Sequence, residues 1–205
     1  VTRIYLVRHG STPWGEDQNR YTGISDIPLS ATGARQARHT ARYLSTLPIA
    51  AVVASPLVRA QDTAREIAAR HDLDILTEPR LREIDFGRWE GMRKATIIAQ
   101  YPDEWQAWTR DPGSTQPGLT GESAAHAVER STTALDDIAS RFGDQSVIVV
   151  GHNTLIRLLI VASLAAPLAS YRNLELHNCG VSLLEIDAAH TWRWHNINAV
   201  AYLEE

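Results

Sequence analysis

The chain has 205 residues, 44% of them hydrophobic, and a formal net charge of −4. That length supports one sizeable core without covalent staples, and a mildly acidic balance excludes bulk attraction to nucleic acid or to an anionic membrane surface. The single cysteine, Cys179, excludes an internal disulfide and suits a reducing, cytoplasmic compartment, while the longest apolar run, residues 158–168, is shorter than the ~20 residues of a membrane span.

In chain order, residues 4–7 form an apolar run that predicts a buried strand, and no leader peptide is expected ahead of it. A helix is predicted from Ser30, with Ala34, Ala37, Ala41 and Leu44 on one face. Residues 50–54 predict a second strand, followed by a helix marked by Ala60, Ala64, Ile67 and Ala68. Residues 111–121, rich in Pro, Gly, Ser and Thr, read as a loop between two helical segments. Ala124, Val128, Leu135, Ile138 and Phe142 mark the next helix, and residues 147–150 the next strand. Residues 155–164 are apolar nearly all round, as in a deeply packed helix. Residues 181–186 predict another strand, and residues 192–202 a last one at the sheet edge. The internal strands are apolar throughout, the pattern of strands covered on both faces of a parallel sheet. Their alternation with helices predicts an α/β layered fold.

Three of these strands end in polar residues: Arg8-His9-Gly10, then Ser55-Pro56 with Arg59 close behind, then Gly151-His152-Asn153. Open α/β sheets collect their sites at the carboxyl ends of strands. Ser55 is expected as an N-cap with Pro56 at the first helical position, which puts Arg59 in the first turn. A second helix is expected to begin near Asn153. Helix N-termini attract anions, so two of them beside two arginines and two histidines suit a dianion. Taken singly, each residue has an ordinary explanation: a polar loop, a solvated helix arginine, a core histidine. Their joint occurrence at three strand ends is the signal.

The strings Leu6-Val7-Arg8-His9-Gly10, Ser55-Pro56-Leu57-Val58-Arg59-Ala60, Glu83-Ile84-Asp85-Phe86-Gly87 and Gly151-His152-Asn153 resemble, in this order, the histidine phosphatase superfamily, also called phosphoglycerate mutase-like. The resemblance runs from residue 6 to about residue 182. It implies a three-layer α/β/α sandwich with a mostly parallel central sheet, one domain over residues 1–205, and a lid-like helical insertion around 88–121. It also implies a phosphomonoesterase needing neither metal nor cofactor. His9 would attack phosphorus, with Arg8, Arg59 and His152 holding the phosphoryl oxygens. Glu83 would protonate the leaving oxygen and then activate water. The expected partner is a small phosphate ester, with no nucleic acid and no membrane.

The chain departs from the family in the loop after the nucleophile. Trp14-Gly15 stands where many relatives carry Trp-Asn, and the loop is longer before Thr22-Gly23. Asn19 is a candidate replacement for the missing amide contact, with Thr22, Gly23 and Asn153 as further substrate-binding candidates. His190 and His195 are placed on opposite faces of a strand, against a metal site. Trp89, Trp105 and Trp108 are expected to pack the lid's own core in preference to lining a pocket. Arg82, Arg88 and Arg93 either select a second anionic group or face solvent. The stretch from Glu83 to Gly91 is especially similar to α-ribazole phosphatases and broad-specificity relatives. A mutase of the phosphoglycerate type and a non-catalytic phospholigand-binding protein are the alternatives.

Overall fold

A computed structural model of the chain describes residues 1–17 and 20–200. Strand β1 spans Thr2–Arg8 and leads into a one-turn helix α1, Pro13–Glu16. Then come α2 (Ala31–Leu44), β2 (Ile49–Ala54), α3 (Val58–Ala68) and β3 (Ile75–Thr77). Short 3-10 turns at Pro79–Leu81 and Gly87–Trp89 precede α4 (Lys94–Gln100) and α5 (Pro102–Arg110). The remainder is α6 (Ala124–Phe142), β4 (Ser146–Gly151), α7 (Asn153–Ser163), a 3-10 segment Leu168–Asn173, β5 (Val181–Ile186) and β6 (Trp192–Ala199).

The six strands form one sheet in the order β3-β2-β4-β1-β5-β6. β1, β2, β3 and β4 run parallel, whereas β5 and β6 add antiparallel at the far edge. The sheet is therefore mostly parallel, with β1 and β4 at its centre. Successive side chains alternate between faces. Ile4, Leu6, Val53, Val147 and Val149 point into one core with α6 and α7, and Val7, Val52, Ala54, Ile148 and Val150 into a second with α2 and α3. Helices thus cover both faces, giving three layers and explaining why residues 4–7, 50–54 and 147–150 of the inner strands are apolar throughout.

Helix ends follow local chemistry. Ser30 caps α2 by accepting from the Gly33 N–H at 3.0 Å, and Ser123 caps α6 by accepting from that of His126. α7 buries Leu155, Ile156, Leu158, Leu159 and Ile160, as its all-apolar sequence requires, while Leu164 beyond its end is exposed. The irregular stretch expected at 111–121 does separate α5 from α6. No described helix is long and apolar enough to cross a membrane.

One sequence expectation is corrected. Ser55 does not cap α3: the cap position falls on Leu57, whose backbone is extended (φ −69°, ψ 137°), and the helix starts at Val58. Two competing contacts explain the shift. The Asp26 carboxylate accepts from the Val58 N–H at 2.7 Å, and the Ser55 hydroxyl is engaged by His152 at 2.7 Å. Arg59 stays in the first turn.

Candidate active site

β1 delivers Arg8 and His9 to the carboxyl edge of the sheet, between β4 and β5. The ladder continues one residue past the strand, with the His9 N–H donating to Gly151 O at 3.0 Å. Asn178 Nδ2 donates to His9 O at 3.0 Å, so the nucleophile candidate is held from two sides. Gly10 must be glycine: a Cβ there would lie 2.5 Å from Gly33 O in the first turn of α2.

The orientation of His9 fixes its proton. Nδ1 lies 2.7 Å from Gly10 O, a carbonyl that can only accept, so Nδ1 carries the hydrogen and Nε2 presents its lone pair. Arg59 Nε donates toward that nitrogen at 3.3 Å. Burial, then the Arg59 and Arg8 charges, hold the His9 pKa well below its ordinary value, outweighing the Gly10 hydrogen bond that raises it. The imidazole is therefore neutral at neutral pH, with the Nε2 lone pair on the side of Arg59.

Arg59 is almost fully buried. Its Nη1 and Nη2 donate to Ser25 O at 2.8 Å and Gly23 O at 2.6 Å. The loop that carries those carbonyls is held by Glu90, whose carboxylate accepts from the N–H groups of Ile24 at 2.9 Å and Ser25 at 2.8 Å. Gly23 takes φ +50°, and a Cβ there would meet Glu90 Oε1 at 2.1 Å. Arg8 Nη1 donates to Leu176 O, and its Nε is buried without a partner. Burial and the nearby Arg157 charge lower Arg8 to about 10. His152 is fully buried with its ring 5.2 Å from that of His9. Its Nδ1 and Asn153 Oδ1 are buried and unpartnered.

Glu83 corrects a second expectation. The N–H groups at the start of α7 do attract an anion, but it is this carboxylate. Oε2 accepts from Thr154 N–H at 2.9 Å, and Oε1 from Leu155 N–H at 2.9 Å and Ile84 N–H at 3.0 Å. Arg130 donates to Glu83 O at 3.3 Å and is paired bidentately with the buried Glu122, at 2.7 and 2.6 Å.

These groups line a cavity of about 620 Å³ that brings together Arg8, His9, Arg59, Glu83, Thr22, Gly23 and Asn153. His152 sits behind it. Asn19 lies outside the described residues. The other arginine candidates are elsewhere: Arg82 pairs with Glu122, Arg88 with Glu104, and Arg93 with Asp17. The basic residues that do line the cavity include Arg20, Lys94, Arg157 and Arg172, which sequence reasoning missed. Trp89 and Trp108 are fully buried with Trp105 packed against them, so the tryptophans do not line the cavity, but the core they pack is the one beneath the sheet that also holds Ile4, Leu6 and Val149, not a separate core of the lid. No cluster of three or more metal-ligating side chains occurs among the described residues.

A family model described as the histidine phosphatase superfamily (branch 1) matches residues 4–200. "Phosphoserine phosphatase 1" of Hydrogenobacter thermophilus is 31% identical over 91% of this chain and 88% of its own length. "Probable phosphoglycerate mutase GpmB" of an Enterobacter species is 36% identical over 90% of this chain and 85% of its own length. Among solved structures, a mycobacterial glucosyl-3-phosphoglycerate phosphatase superposes with a TM-score of 0.87 at 30% identity, covering 98% of this chain and all of that one. The order of strands, the paired histidines at their carboxyl ends and these matches lead to one conclusion: the chain belongs to the histidine phosphatase superfamily, branch 1.

Proposed function

We propose that the chain hydrolyses small phosphate monoesters without a metal, through a phosphohistidine at His9. The observation that carries this reading is the neutral His9 with its Nε2 lone pair set between two arginines in a cavity. The Nε2 lone pair attacks phosphorus as the ester P–O bond breaks, and the departing oxygen takes a proton from Glu83, whose carboxylate has first received it from the incoming ester monoanion. Water then attacks phosphorus as the N–P bond breaks, Glu83 takes the water's proton and passes it to the departing inorganic phosphate, and neutral His9 and the Glu83 carboxylate are restored. Arg8, Arg59 and His152 stabilise the equatorial oxygens, which is most of what phosphoryl transfer asks of a protein. Thr22, Gly23 and Asn153 add contacts from the surrounding loops. Residues 88–121, with α4 and α5, serve as the lid of a single domain. The lone, buried Cys179 suits a cytoplasmic setting.

The mutase reading rests on the likeness to the Enterobacter relative. Supplying 3-phosphoglycerate and following both phosphate and 2-phosphoglycerate separates the two. Phosphate release should dominate; isomer formation much faster than release would overturn the phosphatase. A His9→Ala variant should lose turnover, and retention of near wild-type turnover would refute the covalent route.

A further inference from the structure

His152 is fully buried, and burial, then the Arg59 charge, hold its pKa well below the ordinary value. Its ring is therefore neutral at neutral pH, with one N–H and one lone pair. The N–H stabilises a phosphoryl oxygen and the lone pair repels it. What the ring contributes thus depends on which nitrogen carries the hydrogen, and that is set by the partner of the other one.

That partner is Ser55. It follows β2, is fully buried, and is fixed through its backbone: its N–H donates to Val150 O at 3.1 Å and its carbonyl accepts from Gln61 Nε2 at 2.6 Å. The hydroxyl has two partners among the described residues. The Leu57 N–H donates to it at 3.3 Å, and His152 Nε2 lies 2.7 Å away. The single hydroxyl hydrogen therefore has Nε2 as its acceptor, which places the ring hydrogen on Nδ1. The reverse arrangement, Nε2 donating to Oγ, would strand both the hydroxyl hydrogen and the Nδ1 lone pair in the interior. The first arrangement leaves one group, the Nδ1–H, buried without a partner among the described residues, so it is the less costly of the two.

The two nitrogens of an imidazole point widely apart. β4, which leads into His152, lies between β2 and β1 in the sheet. Nε2 is turned to Ser55 on the β2 side, and Nδ1 is turned away from it. On the β1 side stands His9, its ring 5.2 Å from that of His152. We propose that Ser55 is a positioning residue: its hydroxyl donates to His152 Nε2 and so holds the ring hydrogen on Nδ1, as a neutral donor for an equatorial oxygen of the phosphoryl group at His9. The inference rests on the proposed function, because it assigns how one phosphoryl contact of that reaction is prepared.

Two measurements test it. In the nitrogen NMR spectrum of isotope-labelled protein, neutral ring nitrogens with and without a hydrogen resonate far apart. His152, assigned by the signals lost in His152→Ala, should carry its hydrogen on Nδ1 both in the free protein and with inorganic phosphate bound. A hydrogen on Nε2 in either state would overturn the proposal. Ser55→Ala should lower kcat for p-nitrophenyl phosphate about ten- to a hundredfold, short of the full loss of one transition-state donor. In a His152→Ala background the same change should cost less than about threefold, because Ser55 acts through that ring. Equal losses in both backgrounds would mark a serine that merely supports the fold and would overturn the proposal, as would no loss in the wild type. The ring hydrogen is read in the wild type and without turnover, so it decides the role of Ser55 even where Ser55→Ala misfolds. Absence of p-nitrophenyl phosphate hydrolysis by the wild type would sink the phosphatase reading alone.

Discussion

Glu83→Gln is usually chosen to remove an acid while keeping its shape, but here it should also weaken the fold. The side chain is 5% exposed and accepts from Thr154, Leu155 and Ile84 N–H groups. The glutamine oxygen can keep two of these bonds, though as neutral ones. Its NH2 then faces the third N–H, donor against donor. Hydrogen bonds to charged groups contribute about 1.5–3 kcal/mol each against about 0.5–1.5 for neutral ones, and a stranded buried donor costs about 1–3. Loss of the anion at the α7 terminus adds about 0.3–1 kcal/mol. A destabilisation of about 3 kcal/mol results, a large share of the ~5–15 that domains possess. Urea melts would show it as a lower midpoint at unchanged slope. The chemical role needs a separate observable. The pre-steady-state burst should fall steeply for an alkyl phosphate, whose leaving group needs the proton, and mildly for p-nitrophenyl phosphate. Equal burst losses would remove Glu83 from the acid role, and an unshifted urea midpoint would refute the account of its carboxylate as the α7 anchor.

The two buried histidines predict acid lability. Both His9 and His152 are held well below 6.5, chiefly by burial and then by Arg59, so the unfolded chain binds two more protons as pH falls below 6.5. Stability should be flat above that value and drop by about 2.7 kcal/mol per pH unit from 6.5 towards 5; a slope of half that or less would mean that one ring ionises in the fold. Gly33→Ala should shift the loop after His9, since its Cβ would lie 2.0 Å from Ser11 O; expected are about 1–3 kcal/mol of lost stability and at least a tenfold fall in kcat, and a fully active, equally stable variant would contradict the contact. Glu90→Gln should loosen the loop whose Gly23 and Ser25 carbonyls hold Arg59 and lower kcat/KM about tenfold, and wild-type kinetics would show that Arg59 needs no such brace. Activity should survive dialysis against a chelator, with loss restored by magnesium or zinc as the contrary result.

Much of this was legible in the sequence because strands buried on both faces carry unbroken apolar runs and the site residues follow directly on their ends. β3 escaped notice for the converse reason: Ile75–Thr77 is a three-residue edge strand with no fully buried side chain. The cap on α3 was misassigned because Asp26 and His152 act from distant loops, which no local pattern reveals. Arg20, Lys94 and Arg172 sit in segments of ordinary composition, and only the fold turns them inward. Arg157 did leave a trace: it is the one charge inside the run Leu155-Ile156-Arg157-Leu158-Leu159, where a solvated side chain has no natural place.

The position of β1 at the centre of the sheet has a consequence for how the protein is made. Its partners are residues 146–151 on one side and 181–186 on the other. At ordinary translation rates of ~5–20 residues per second, roughly ten to forty seconds separate the synthesis of β1 from that of β5. Until β4 is made the segment bearing Arg8 and His9 has no neighbour on either side, and until β5 is made it has only one. Such long-range pairing slows folding and leaves a bare hydrophobic strand open to aggregation. A nascent chain arrested before β4 would therefore hold His9 on an unpaired ribbon, and assembly of the sheet edge that carries it would begin only as the last third of the polypeptide leaves the ribosome.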